Sequence, residues 1–277
     1  MSISFFSYKT VIKQQPFTSD SGKKFPYTAA ITLYDEYNKE IGYLEKAYVK
    51  AETIYKSIDK EEEMLLDQCY VENFSIGEYR KTRNLPPDKI VSLKNFSAFQ
   101  AIFESSELTD FSFCDFGDCF KNFEQTLFLQ GKVSFHGTRF QKGGINFSYC
   151  LFHKGELDFS YTTISGGELN FKNATFGNGT KNFQNTFFGA GKVLFQNVTF
   201  NAGDVSFVDT HFEQGDISFK VSSFKNGKLD FHFARFGTSN LSFERADFGD
   251  GKVDFRTTEF KNSKINFNRS VFGSGDK

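Results

Sequence analysis

The chain has 277 residues, 39% hydrophobic and 24% charged, with 33 Lys+Arg against 34 Asp+Glu. That balance excludes attachment to nucleic acid or a membrane surface by bulk charge, and direct nucleic-acid binding is not expected. No run of 18 apolar residues occurs, so no membrane span is predicted; residues 1–17 lack the basic and apolar regions of a signal peptide, and a cytoplasmic location is expected.

Residues 1–95 form an irregular amino-terminal cap region. Within residues 1–40 the segment Ala29–Tyr34 reads as a strand between polar turns. Five-residue spacing follows at Leu44, Val49 and Ile54, then at Leu66, Val71 and Ile76. Two readings stand side by side: an irregular start to a solenoid, or a cap with a helix over about 44–66, favoured by the intervening Lys and Glu. Some cap is required, because a first coil leaves bare strand edges and a bare core. Arg80–Asp88, with Pro86-Pro87, reads as a connector.

Residues 96–277 are a repeat. The chain holds 39 Phe, 23 Gly and no Trp, a bias that suggests one environment used many times. One Phe column recurs every twelve residues from Phe111 through Phe123, Phe135, Phe147, Phe159, Phe171, Phe183, Phe195, Phe207, Phe219, Phe231, Phe243 and Phe255 to Phe267. A second lies five residues later, at Phe116, Phe128, Phe140, Phe152, Ile164, Phe176, Phe188, Phe200, Phe212, Phe224, Phe236, Phe248, Phe260 and Phe272. Two residues before the first column stand aliphatics such as Val133, Ile145 and Leu157, with Lys181 an exception; two before the second stand small residues such as Thr126, Cys150 and Ala174. Residues i−2 and i share a strand face, so each half-repeat sends two side chains inward around one outward. The outward residue of the first half is nearly always Ser, Asn or Asp (Ser134, Asn146, Asp158, Asn170, Ser206), a polar ladder expected to serve the fold. Gly recurs three residues after the second column, at 131, 143, 155, 167, 179, 191, 203, 215, 227, 251 and 275, and predicts positive φ at each corner. The Phe columns are the predicted inner ladders of an all-β solenoid.

Units such as Ala246-Asp247-Phe248 and Ala174-Thr175-Phe176, over roughly 107–277, resemble the pentapeptide-repeat proteins. The resemblance implies a right-handed quadrilateral β-helix with the central Phe inside; the seven-residue half departs from the family pattern. The coil could close flat with 12 residues or four-sided with 24. Charges after the Gly column decide, because stacked coils place equivalent residues about 4.8 Å apart. At spacing 12, the opposite pairs 192/204, 216/228 and 264/276 are offset by the like pairs 156/168, 204/216 and 252/264. At spacing 24, the opposite pairs 132/156, 168/192, 192/216, 204/228 and 252/276 outnumber the single like pair 228/252. Spacing 24 is the expectation.

No catalytic, metal or cofactor site emerges. Cys114 and Cys150 occupy the small inward slot, and Cys69 and Cys119 offer no close ligand pair with them. His136, His153, His211 and His232 fall at outward or corner positions, too scattered for a metal cluster or a nucleophile–base pair. Gly corners such as Gly189-Ala190-Gly191 have the wrong period for calcium loops and often carry Lys where a carboxylate is needed. The outward second-half column (Arg139, Leu151, Phe187, His211, Arg235) reads as ordinary solvated surface with a few contact points. The expected function is a non-enzymatic, rigid protein-interaction or scaffold module for an unidentified protein partner. The alternative, implied by the resemblance, is DNA mimicry directed at DNA gyrase or topoisomerase, which needs an acidic face; residues 107–277 hold 19 Lys+Arg and 19 Asp+Glu. A lyase-type β-helix enzyme would need ionisable clusters that break the repeat, and none is seen after residue 111. A homodimer through the carboxy-terminal coil, at Phe267 and Phe272, is expected because a bare coil end invites pairing.

Overall fold

Each half-repeat builds only a short strand, such as Ile145–Asn146 or Leu151–Phe152. Pairs this short persist only as members of larger sheets. The computed structural model describes residues 5–154 and 156–274. Its repeat strands pair in parallel with residues 24 apart: Leu127↔Leu151↔Thr175↔Thr199 along one side and Ile145↔Leu169↔Val193↔Ile217↔Leu241↔Ile265 along another. The protein is a four-sided β-solenoid with 24 residues per coil. Gly155, Gly275 and Asp276, and with them the 252/276 and 264/276 pairs, lie outside the described residues.

The chain visits four faces in turn. Face 1 runs from Leu108–Asp110 to Val253–Asp254, and face 2 from Val91–Ser92 to Glu259–Phe260. Face 3 runs from Glu63–Leu65 to Ile265–Asn266, and face 4 includes Cys69–Glu72, Ile102–Glu104, Leu127–Phe128 and on to Thr199–Phe200. Inside, the Phe columns become four stacks. Phe171, Phe195 and Phe219 lie face to face at 5.0 and 4.9 Å, and Phe183, Phe207 and Phe231 at 4.8 and 4.9 Å. These two stacks meet edge to face across the axis, as at Phe183–Phe195 (5.5 Å, 81°), so each ring uses both favourable aromatic geometries. Ile164 interrupts the ring stack between Phe140 and Phe188 but leaves the backbone ladder Arg139↔Thr163↔Phe187 intact.

The turns explain the polar columns. Asp158 Oδ1 accepts from Ser160 N–H, Asn146 from Ser148, Asn170 from Lys172 and Asp230 from His232. The outward Ser/Asn/Asp ladder therefore ties each coil corner to its own backbone. In the small inward slot, the hydroxyls of Thr138, Thr162, Thr186 and Thr210 donate to the carbonyls of Phe111, Phe135, Phe159 and Phe183 in the coil before. Thr suits this slot because a buried hydroxyl needs a partner.

The Gly column has a different cause from the one expected. Gly131, Gly143, Gly167, Gly203 and Gly215 have positive φ, but Gly191, Gly227 and Gly251 do not. What they share is crowding: a Cβ on Gly191 would overlap the carbonyl of Gly167, and one on Gly227 that of Gly203. The backbones of successive coils meet there. The regular left-handed position lies elsewhere, two residues past the first Phe column, where φ is 50–62° at residues as varied as Phe113, Tyr161, Asn173, Val221 and Arg245. It is the third residue of a turn closed by bonds such as Thr138 N–H to Phe135 O and Ala174 N–H to Phe171 O, the type II arrangement.

The amino-terminal region realises both readings at once. Strand β1 (Ser7–Lys13) pairs antiparallel with Thr28–Tyr34, which pairs antiparallel with Glu40–Lys50. Glu40–Lys50 then pairs in parallel with Cys69–Glu72, so the solenoid already begins at Ala47. Helix α1 (Ala51–Asp59) is shorter than expected, because residues 44–50 continue the strand. Its Ile54, Tyr55 and Ile58 sit on one side and close the end of the Phe core. Helix α2 (Ile76–Thr82) starts at a Ser75 cap and includes Arg80, read from sequence as connector. Arg80 is buried, because its guanidinium donates to Ser112 O and Oγ and stacks 5.6 Å from the Phe113 ring.

Candidate interaction faces

The predicted Phe ladder from Phe123 to Phe243 is almost entirely inaccessible, so its members act through packing and present nothing to a partner. Exposure returns at the last coil, where Phe255, Phe260 and Phe267 are half-buried and Phe272 is 44% exposed. Ile265 and Val271 are exposed beside it, and among the described residues the Ile265–Asn266 strand is terminal in its sheet.

Two buried cations break the apolar lining. Lys181 occupies the aliphatic slot of face 1; a lysine there is expected to send its amine to solvent or to a carboxylate, but its ammonium reaches neither. Nζ donates to Gly177 O (2.7 Å) and Ala202 O (3.1 Å), and desolvation lowers its pKa to about 8 against a weaker pull from Asp204. The corner carbonyls turn inward and make that site. Lys121 does the same on face 3, donating to Lys142 O at 2.6 Å, with its pKa likewise lowered by desolvation. Sequence reasoning singled out Lys181 alone, although Lys121 stands two residues before Phe123 in the same slot.

Face 1 gathers acidic side chains, and several of them are ion-paired. Lys132 bonds Glu156 at 2.7 Å, one of the pairs used to argue for the 24-residue coil. Lys228 bridges Asp230 (2.6 Å) and Asp254 (3.1 Å), and Arg256 bonds Asp254 at 2.7 Å. The Arg256 and Lys228 contacts hold the Asp254 carboxyl well below the usual range. Exposed pairs contribute little stability; here they divide the acidic potential along the rod.

The edge between faces 1 and 2 carries Phe113, Tyr161 and Phe233 among Gly137, Asn185, Asp209 and Thr257. Tyr161 is 61% and Phe233 50% exposed. His136 meets Phe113 and Tyr161 edge-on at 5.3 and 5.4 Å, and His232 stacks on Phe233 at 4.0 Å. On face 2, Phe187 touches His211 at 5.4 Å. Tyr161 and Phe233 both occupy left-handed positions (φ 56° and 59°) that Gly or Asn fills more cheaply.

Face 4 is not the open surface expected at Leu151. Phe5, Ala29, Ile31 and Leu33 pack over Tyr70, Ile102, Leu129 and Leu151 as a second apolar cluster. Tyr8 donates to Glu104 at 2.9 Å, Tyr70 donates to the same carboxylate, and Phe5 stacks on His153 at 4.3 Å. Burial lowers the His153 pKa, and its Nε2 has no hydrogen-bond partner among the described residues. The sequence signal was present: outward Tyr70, Ile102, Leu127 and Leu151 form an apolar row.

The remaining candidates carry no reactive arrangement. Cys69, Cys114 and Cys150 are buried and Cys119 is exposed, all as free thiols. Burial pushes the Cys69 thiol up to about 12 and raises Cys114 and Cys150 as well. Among the described residues no three His, Cys, Asp or Glu side chains are grouped to hold a metal ion, and no helix is long and apolar enough to cross a membrane. No protein-family model, no curated protein and no solved structure matches this chain.

Proposed function

We propose that the protein is a non-enzymatic scaffold of the pentapeptide-repeat kind, which binds a protein partner along the edge between faces 1 and 2. The observation that carries this reading is a pair of exposed aromatics, Tyr161 and Phe233, three coils apart with Asn185 and Asp209 between them, held at left-handed backbone positions on a stiff support. Aromatic residues are enriched in interface cores and among binding hot spots, and the stacked coils keep Tyr161 and Phe233 in place without an ordering cost on binding. A cytoplasmic location belongs to the proposal and is supported by four unpaired thiols.

The test is affinity capture by the intact protein compared with two sets of variants. Tyr161→Ser with Phe233→Ser should abolish capture of a specific partner, whereas Lys172→Ser with Lys220→Ser, on the face 3 side, should not. Capture indifferent to the aromatic pair would overturn the docking edge. DNA mimicry toward gyrase or topoisomerase is the competing proposal. The cations that Lys132, Lys228 and Arg256 place against Glu156, Asp230 and Asp254 on face 1 speak against it, and inhibition of gyrase supercoiling at stoichiometric protein would establish it instead. A homodimer through the coil of Phe267 and Phe272 is also proposed, supported by the exposed Ile265, Val271 and Phe272. A monomeric mass by light scattering at micromolar concentration would remove it.

A further inference from the structure

A cavity of about 390 Å³ opens at the capped end, between α1, the short hairpin of Phe17–Thr18 with Lys24–Phe25, and the Glu63–Leu65 strand. Protein interiors pack closely, and unfilled apolar space costs stability. This space lies within the range of small-molecule pockets, about 300–1,000 Å³. Its floor is buried and apolar, made by Val49, Ile54, Met64 and Leu66, and its mouth is framed by Phe25 and Tyr27. A polar molecule gains nothing from that floor, so the body of any ligand must be apolar.

The mouth has a sign. Of the nearby carboxylates, Glu52 pairs with Arg83 at 3.1 Å and Glu62 with Lys60 at 3.7 Å. Glu63, which lines the cavity, accepts from the neutral Asn95 amide and keeps its charge, so the lining carries two ammoniums against one carboxylate. The two ammoniums are not paired with any acid among the described residues. Lys23 lies 5.2 Å over the Phe25 ring and donates only to Leu65 O at 3.4 Å, and Lys50 is exposed. Lys50 is also the residue preceding α1 and gives the helix no side-chain cap, so the positive end of the helix adjoins the cavity beside Thr53. We infer that this cavity binds a single-chain amphiphile, its apolar body on the floor and an anionic head between Lys23 and Lys50.

Three probes with one chain and different heads separate the elements of the claim: decanoate, decanol and decyltrimethylammonium, titrated calorimetrically into the full chain. Decanoate should bind saturably at one site, decanol at least five-fold more weakly, and the cation more weakly still. Lys50→Glu, an exposed change that leaves the fold intact, should weaken decanoate at least ten-fold while leaving decanol within two-fold. Thr53→Trp, at the exposed rim, should block both. Absence of saturable decanoate binding overturns the site. Equal or tighter binding of the cation, or decanoate binding unmoved by Lys50→Glu, overturns the head-group assignment.

Discussion

Lys181 offers a measurable consequence of burying a charge inside a Phe-lined solenoid. Its side chain is 1% exposed and its ammonium is held by carbonyl oxygens alone. Carbonyls compensate only part of the lost hydration, which is why desolvation dominates and the pKa falls from 10.5 to about 8. The folded chain therefore holds fewer protons than the unfolded chain between those values, and stability rises with pH across that window. Below pH 8 the full penalty, about 3 kcal/mol, opposes folding; between pH 7 and pH 9 about 1.4 kcal/mol of it is relieved. Lys181→Met keeps the stem and removes the titration. At pH 7 the variant escapes the charge penalty but takes the ammonium donor from Gly177 O, a cost of about 1–3 kcal/mol, while Ala202 O keeps the Gly179 amide. The sign of its net effect at one pH is thus uninformative, and the pH dependence carries the test. Urea denaturation of both proteins at pH 7, 8 and 9 should show the variant losing about 1.4 kcal/mol relative to wild type over that range. Other ionisations are common to both proteins and cancel in the difference. Hydrogen exchange of the Phe183 and Phe207 amides would report the same trend if solenoid coils open locally. A difference constant within about 0.3 kcal/mol, well under the linkage value, would show that the ammonium is hydrated and refute the reasoning.

Phe195→Ala should cost about 3–5 kcal/mol, since it opens a cavity and removes two stacked and two edge-on rings; an unchanged thermal midpoint would contradict the inner stack. Gly191→Ala should destabilise by about 1–3 kcal/mol because its Cβ has no room against Gly167. Val221→Gly should instead stabilise by up to about 1 kcal/mol in chemical denaturation, because it relieves a β-branched, exposed residue at φ 60°. His153 is pushed below its usual pKa of 6.5, so the folded state resists protonation and stability should fall as pH drops from about 6.5 towards 5. His153→Phe should remove that slope, read as the difference between thermal melts at pH 5 and pH 7.

The twelve-residue Phe columns determined the solenoid, its inward faces and, through Lys132 and Glu156, its 24-residue coil. A periodic core is a local, repeated constraint that any stretch of this chain displays, so the sequence alone suffices to read it. The polar ladder was legible for the same reason, because an Asx side chain serves a backbone amide two residues away. What the sequence could not decide depends on the distance between coils. The Gly column looked like a demand for positive φ, but it answers the close approach of two backbones brought together only by stacking. The true left-handed column escaped notice because tertiary pairing imposes that conformation on Tyr161, Val221 and Arg245 against their own preference, with only Asn173, Asn185 and Asn197 as a hint. Leu151 appeared solvated until the amino-terminal strands, more than a hundred residues away in sequence, were seen to cover it. Lys181 seemed to need water or a carboxylate, and only the folded corner shows the inward carbonyls that hold it. Local pattern set the coil, and long-range packing decided what each exceptional residue touches, because no repeat records contacts made only once.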